Sequence, residues 1–124
     1  GYESVVYAVS TNEGTLFSNK AGDQILFDGW TIREVSGLGR RGLDIKIDEL
    51  DGVQIVKQGA RTLASHRCQE WQRETSLGMV SLSQNCSGVR NYSNSILVLE
   101  DGSISVIRQI VDERYTALTL TKLK

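Results

Sequence analysis

The sequence predicts a mainly β protein, made of antiparallel hairpins in a small barrel or sandwich, with one amphipathic helix near residues 60–74. Three observations lead to this prediction. Asp-Gly pairs lie between apolar runs, apolar positions recur with a period of two in several short segments, and one stretch lacks both features. The 124 residues suffice for one hydrophobic core, so we expect a single β-rich domain over residues 1–124.

Three Asp-Gly pairs begin at Asp28, Asp51 and Asp101. The turn types that favour two-residue hairpins need a positive φ at their central positions, which Asp tolerates and Gly adopts freely. Apolar runs flank each pair, most completely at residues 96–99 and 104–107. Each pair therefore predicts a β-hairpin.

Apolar residues occupy every second position in three further segments, so in a strand they would share one face. They are Val5, Tyr7 and Val9 near the start, Leu43, Ile45 and Ile47 in the middle, and Leu118 and Leu120 near the end. Short strands joined by glycine-containing turns are typical of small barrels and sandwiches.

The helix is predicted over GARTLASHRCQEWQRE, residues 59–74, which has no β-branched run. Its apolar residues fall near one helical face and its charged residues largely outside that face. On such a helix His66 lies toward the polar side, so we expect this side chain to be solvated. Asn, Ser and Gly in residues 84–94 predict a loop.

Cys68 and Cys86 stand 18 positions apart. We expect a disulfide between them, which indicates an oxidising compartment and therefore a periplasmic or secreted protein. Two reduced and buried thiols are the alternative, because free cysteine is among the most buried residue types.

Charge and hydropathy exclude two classes of partner. Fourteen Lys and Arg residues against fifteen Asp and Glu residues give a formal net charge of −1, so no general attraction to nucleic acid or anionic lipid is expected. Apolar runs such as residues 96–99 are far too short to insert into a membrane.

No residue set predicts catalysis, a metal site or a cofactor. His66 is the single histidine, and its spacing from Cys68 does not match zinc-binding pairs. On a helix these two side chains would also point roughly 200° apart. The carboxylates lie mostly in predicted turns, so we expect a protein that is not an enzyme. A small enzyme that uses His66 with a cysteine or aspartate is a minor alternative.

The segment Gly37-Leu38-Gly39-Arg40-Arg41-Gly42 formally matches a glycine-rich phosphate loop. A strand pattern follows it, however, so no helix N-terminus is available for a phosphate. We predict a hairpin loop whose Arg40 and Arg41 contact an acidic partner or a phosphate. Trp30 and Trp71 are expected in the core, with Trp30 as a further candidate for binding a partner.

Residues 15–64 carry a series of short motifs. These are Thr15-Leu16-Phe17, Gly22-Asp23, Gly29 before a strand that ends at Val35, Gly52-Val53-Gln54-Ile55, and Thr62-Leu63-Ala64. The pattern resembles the small periplasmic β-domain of inner-membrane components in type II secretion and type IV pilus machines. The resemblance implies a compact β-sandwich without catalytic residues that binds the periplasmic part of the outer-membrane secretin. The loop that contains Arg40 and Arg41 is longer than the corresponding loop in this pattern.

We therefore expect a non-catalytic, extracytoplasmic protein-binding module that belongs to a secretion, pilus or envelope assembly. Its partner would add a strand at a free sheet edge, either at residues 5–9 or at the hairpin of residues 96–107. The alternative is a secreted inhibitor, immunity protein or effector that inserts a loop into its target. The inserted loop would be Arg40-Arg41 or residues 86–94.

Overall fold

The computed structural model describes residues 2–112 and 114–122, which form a twelve-stranded antiparallel sheet curved into a half-barrel. The strands are β1 (Tyr7–Thr11), β2 (Gly14–Ser18), β3 (Gln24–Phe27), β4 (Ile32–Ser36), β5 (Asp44–Leu50), β6 (Val53–Gln58), β7 (Arg61–Cys68), β8 (Gln72–Ser76), β9 (Met79–Ser87), β10 (Asn91–Val98), β11 (Ile104–Ile110) and β12 (Ala117–Thr121). Strands follow one another across the sheet in chain order, except that β7 and β8 both pair with β9. Among the described residues, β1, β8 and β12 are therefore each paired on one side only.

The prediction of a mainly β protein is confirmed, and so are the three Asp-Gly hairpins. They join β3 to β4, β5 to β6 and β10 to β11. Between β5 and β6, Asp51 and Gly52 have φ values of 53° and 78°, as a two-residue hairpin turn of this type requires.

The predicted helix near residues 60–74 is wrong, because this stretch forms β7 and the start of β8. The described residues contain no helix. In β7 the inward positions alternate, with Ala64 half-buried and His66 and Cys68 buried. β7 pairs with β6 over most of its length, so the main-chain hydrogen bonds of the sheet override the helical pattern.

Two related expectations are also wrong. His66 is only 3% exposed, because a strand with a period of two directs it inward instead of toward solvent. Residues 84–94 are mostly strand, since β9 extends to Ser87 and β10 begins at Asn91. Eight residue pairs join β9 to β10, so the polar residues here belong to strands, with Gln84 and Asn94 buried and alternate residues exposed.

The concave face of the half-barrel is filled by apolar side chains. The buried cluster consists of Ile25, Phe27, Ile32, Val35, Ile45, Ile47, Val56, Ile96, Ile107 and Val111. Half-buried residues pack against it, including Leu38 from the β4–β5 loop and Trp71 from the β7–β8 connection. The inside of the curved sheet is thus a packed core.

Buried amide side chains connect the strands, Gln109 across the core and Asn94 between neighbouring strands. The Gln109 side chain accepts a hydrogen bond from the Ile32 N–H at 2.8 Å and donates one to the Trp30 carbonyl at 2.8 Å. Asn94 accepts a hydrogen bond from the Ile110 N–H at 2.9 Å and donates one to the Gln84 side chain at 3.3 Å. The Gln109 contacts fix the last strands over the first ones.

A disulfide joins Cys68 to Cys86, which are also register partners of β7 and β9. At this point β7 ends and β8 takes its place beside β9. The Cys68 N–H still bonds to the Gly52 carbonyl at 2.7 Å, whereas the next N–H, of Gln69, bonds to Asn85 at 2.9 Å. The disulfide therefore fixes the position where the chain changes from one neighbouring strand to another.

Replacing both cysteines by alanine should lower the free energy of unfolding by about 3 kcal/mol, because the bond closes a loop in the unfolded chain. Urea unfolding of wild type and of the Cys68→Ala, Cys86→Ala variant measures the difference. Both cysteines are buried, so intact mass should show alkylation only after reduction. Alkylation of both thiols in the native, unreduced protein would contradict the bond.

Candidate protein-binding site

The edge of the sheet at β1 is exposed and carries no charged residue. β8 is likewise exposed and paired on one side only, but it contains Arg73 and Glu74. β1 pairs only with β2, and all five of its residues are exposed. Tyr7 is 70% and Val9 53% exposed. In an antiparallel edge strand every second residue directs its N–H and C=O away from the neighbouring strand. β1 therefore offers unpaired main-chain groups beside two exposed apolar side chains.

This edge lacks the devices that usually protect a free strand. Its sequence, Tyr-Ala-Val-Ser-Thr, contains neither a charged residue nor proline, and its five register pairs with β2 show no bulge. The opposite edge, β12, is less open, since Ala117, Leu118 and Leu120 are half-buried. Of the two edges expected from the sequence, the hairpin of residues 96–107 is not free, because β10 and β11 are paired on both sides.

A buried carboxylate holds the segment that leads into β1. Asp23 is 1% exposed and accepts hydrogen bonds from the Tyr2 hydroxyl at 2.9 Å, the Ser4 hydroxyl at 2.7 Å and the Asn19 amide at 2.9 Å. The Leu38 N–H adds a fourth bond at 2.8 Å. The residues before β1 are thus attached to β3 and to the loop that follows β4.

These hydrogen bonds favour the ionised form of Asp23. The Ser4 hydroxyl and then the Asn19 amide lower the pKa of this carboxyl from 3.8 to about 2, against an opposing effect of burial. Asp23 was noted in the sequence only as part of a Gly-Asp motif. Its distant partners, Tyr2 and Leu38, give no local signal by which the sequence identifies them.

A second cluster lies on the concave face beside the disulfide. His66 Nδ1 is 2.6 Å from the Tyr92 hydroxyl, and its ring stacks on Tyr115 with centroids 5.3 Å apart. The Tyr115 hydroxyl accepts a hydrogen bond from the Val89 N–H at 2.7 Å, and Arg90 lies 4.8 Å above the Tyr115 ring. The cluster therefore holds the main chain of the β9–β10 turn in place through the Tyr115 hydroxyl.

Burial favours the neutral forms of His66 and Tyr92. It lowers the pKa of His66 and raises the pKa of Tyr92 to about 12, with a further contribution from Tyr115. Both cysteines are joined in the disulfide, so His66 has no free thiol beside it among the described residues.

The structure does not bring the three predicted binding residues together. Trp30 precedes β4, whereas Arg40 and Arg41 follow it, so they lie at opposite ends of that strand. Arg40 contacts the Asp112 carboxylate at 3.8 Å, and a Cβ at Gly39 would lie 2.5 Å from the Tyr2 ring. The loop joins the antiparallel strands β4 and β5, so it is the hairpin loop that the sequence predicts, and residues 39–42 are exposed.

Trp30 is half-exposed instead of buried in the core. Its ring lies 5.8 Å from that of Trp71, with a tilt of 43°. The Trp30 N–H donates to the Asp28 carboxylate at 2.9 Å, so the loop backbone that carries this ring is well anchored. Trp71 packs against the core as expected.

Within residues 2–112 and 114–122, no three His, Cys, Asp or Glu side chains are grouped so as to hold a metal ion. None of these residues belongs to a helix long and apolar enough to cross a membrane. Comparisons of the chain with protein-family models, with curated proteins and with solved structures find no match.

Asp23→Asn should lower the free energy of unfolding by about 2 kcal/mol at neutral pH, because the bonds to a charged acceptor are lost. In wild type, the unfolded chain binds a proton near pH 3.8 and the folded chain near pH 2, so the unfolded state takes up more protons between these values. The stabilisation is complete above this window and is lost as the pH falls through about 2.

Urea unfolding at a series of acidic pH values tests this. The difference between the wild-type and Asp23→Asn curves isolates Asp23 from other carboxylates, and it should shrink as the pH falls. Asp44→Asn, at an exposed strand position, is the matched control and should leave stability nearly unchanged. A constant difference between the two curves at all pH values would contradict the depressed pKa.

Proposed function

We propose that this protein is a non-catalytic, extracytoplasmic protein-binding module that accepts an extended segment of another protein as an added strand at β1. The free and unprotected edge of β1 carries the proposal. In strand addition, main-chain hydrogen bonds supply affinity and alternate side chains supply specificity. Tyr7 and Val9 are exposed apolar contacts for such a segment.

The attachment of residues 2–5 supports this use of the edge. Tyr2 and Ser4 are bonded to Asp23, and the Val5 carbonyl accepts a hydrogen bond from the Asn19 amide at 3.0 Å. An edge whose lead-in segment is already fixed loses less conformational entropy when a partner binds. β1 is therefore suited to act as a preformed template.

The disulfide supports an extracytoplasmic setting. Disulfides persist in the periplasm and outside the cell but are rare in reducing cytosol. The resemblance of residues 15–64 to the periplasmic β-domain of secretion and pilus components favours an assembly role in a secretion, pilus or envelope machine. We therefore propose a periplasmic or secreted location and a protein partner.

Two observations support a non-catalytic role. The disulfide occupies both cysteines, and the buried His66 ring packs against the two tyrosines that support the β9–β10 turn. The disulfide leaves no free thiol beside His66 among the described residues, and the Tyr92 hydroxyl, 2.6 Å from His66 Nδ1, acts in this proposal as a packing partner of the ring.

A secreted inhibitor, immunity protein or effector is the second candidate. Val89, at the tip of the β9–β10 turn, is 97% exposed, and Tyr115 holds the turn from below. A braced turn with an exposed apolar tip is suited to insertion into a partner. Arg40 and Arg41 belong to the other loop considered for this role.

Peptides selected from a random-sequence display library against the oxidised protein should bind as a strand at β1. Amide hydrogen exchange measured by NMR should then show slower exchange at every second amide of β1, because only outward N–H groups gain a partner. Slower exchange or contact shifts confined to Val89, Arg40 and Arg41 would overturn strand addition and support loop insertion.

Two proline variants at adjacent positions provide an internal control. Ala8→Pro and Val9→Pro remove neighbouring N–H groups, one of which faces β2 and the other the free edge. The variant that removes the outward N–H should keep the near-UV spectrum of wild type and bind the selected peptides about tenfold more weakly. Unchanged affinity in both folded variants would contradict the proposal.

A further inference from the structure

We propose that the outer face of β2–β5 holds a second binding surface, which takes a basic, extended segment of a partner protein. This surface, the acidic groove, is distinct from the edge of β1 and goes beyond the strand addition proposed above. Its principal residues are Glu13, Leu16, Leu26, Glu34 and Asp44.

The acidic groove has a defined shape and an apolar floor. It is a cavity of about 470 Å³ that reaches from the β1–β2 turn to β5. Leu26, which is 8% exposed, and the half-buried Leu16 are register partners on β3 and β2. An adjoining hollow shares Glu13, Leu26 and Glu34 and continues toward Glu49. The floor therefore suits an aliphatic side chain.

Carboxylates outnumber basic groups around this floor. The two hollows together are lined by the acidic residues Glu13, Asp28, Glu34, Asp44, Asp48 and Glu49 and by the basic residues Arg33 and Lys46. Arg33 already pairs with Asp28 at 2.7 Å and lies 3.8 Å from Glu49. Lys46 lies 3.8 Å from Glu34, and Lys57, outside the lining, lies 3.0 Å from Asp48. Among the described residues, no cation lies within 4.0 Å of Glu13 or Asp44. The groove thus carries a negative charge that its own residues do not balance.

The direction of the groove indicates an extended segment. The groove crosses the sheet from β2 to β5, which is three strand spacings of about 4.8 Å each, so it is about 14 Å long. About five residues of an extended chain span this length. Such a segment would place an apolar residue over Leu26 and basic residues on either side at alternate positions.

The exposed edge segment of a second copy does not fit this chemistry. Residues 2–13 contain two glutamates, Glu3 and Glu13, and no lysine or arginine. Bringing them to the acidic groove would place like charges together, which disfavours association. The occupant we propose is therefore a basic segment of a different protein.

The test uses the oxidised protein and two synthetic peptides that differ only in charge. One contains Lys-Ser-Leu-Ser-Lys between neutral residues, and its control has glutamine for both lysines. Calorimetric titration at low salt should show about tenfold tighter binding of the lysine peptide, and added salt should remove most of this preference. NMR shifts should centre on Leu26, Glu34 and Asp44.

Matched variants separate the groove from general charge. Combining Glu13→Gln, Glu34→Gln and Asp44→Asn should abolish the preference for lysine. Combining Glu70→Gln, Glu74→Gln and Glu100→Gln, which changes the net charge equally outside the groove, should keep it. Equal loss in both triple variants would overturn the proposal, and so would equal affinity of wild type for the two peptides.

Further outcomes identify other occupants. Calcium chloride that shifts the same amides without peptide would overturn the proposal in favour of a cation site. Dimers in analytical ultracentrifugation that the lysine peptide does not dissociate would overturn it in favour of a second copy. Slowed exchange at β1 amides reports on strand addition separately. If the β1 amides show no slowing while the lysine peptide still binds preferentially in the acidic groove, the strand-addition proposal fails and this inference stands.

Discussion

The hydrogen bonds of the Gln109 amide with Ile32 and Trp30 hold the curved sheet closed over its core. A sheet whose strands pair in chain order has no inherent reason to bring its last strands over its first ones. Because the partners of Gln109 are main-chain groups, the contact fixes backbone positions and not only side-chain packing. Removing the amide would leave a buried N–H and a carbonyl without partners, which costs more than the bonds contribute.

The sequence predicts the local pairing well because the relevant signals are local. Asp51-Gly52 specifies its own turn, and the alternation of Ile45 and Ile47 specifies which face of β5 is buried. The helix prediction fails because Ala64, Cys68 and Trp71 have helical spacings of four and three residues, whereas pairing with β6 and β9 imposes a period of two. Tertiary hydrogen bonding decides between two patterns that the sequence allows.

The candidate site is predictable only in part, for the same reason. A strand near the start of the chain follows from the alternation of Val5, Tyr7 and Val9, and the structure has it at Tyr7–Thr11. That this strand lies at an open edge, and that residues 96–107 are enclosed, depends on the order of strands across the sheet. The attachment of Tyr2 and Leu38 to Asp23 and the acidic groove depend on contacts between separate strands, which no single segment encodes.

The chain-order pairing of the strands has a consequence for how the protein folds. Nearly every strand contacts its immediate predecessor, so most of the sheet forms by local hairpin closure, and the loop-entropy cost of each step is small. The sequence has no proline, so prolyl isomerisation cannot delay refolding. The non-local contacts of Gln109 require both halves of the sheet, which makes closure of the half-barrel a late step.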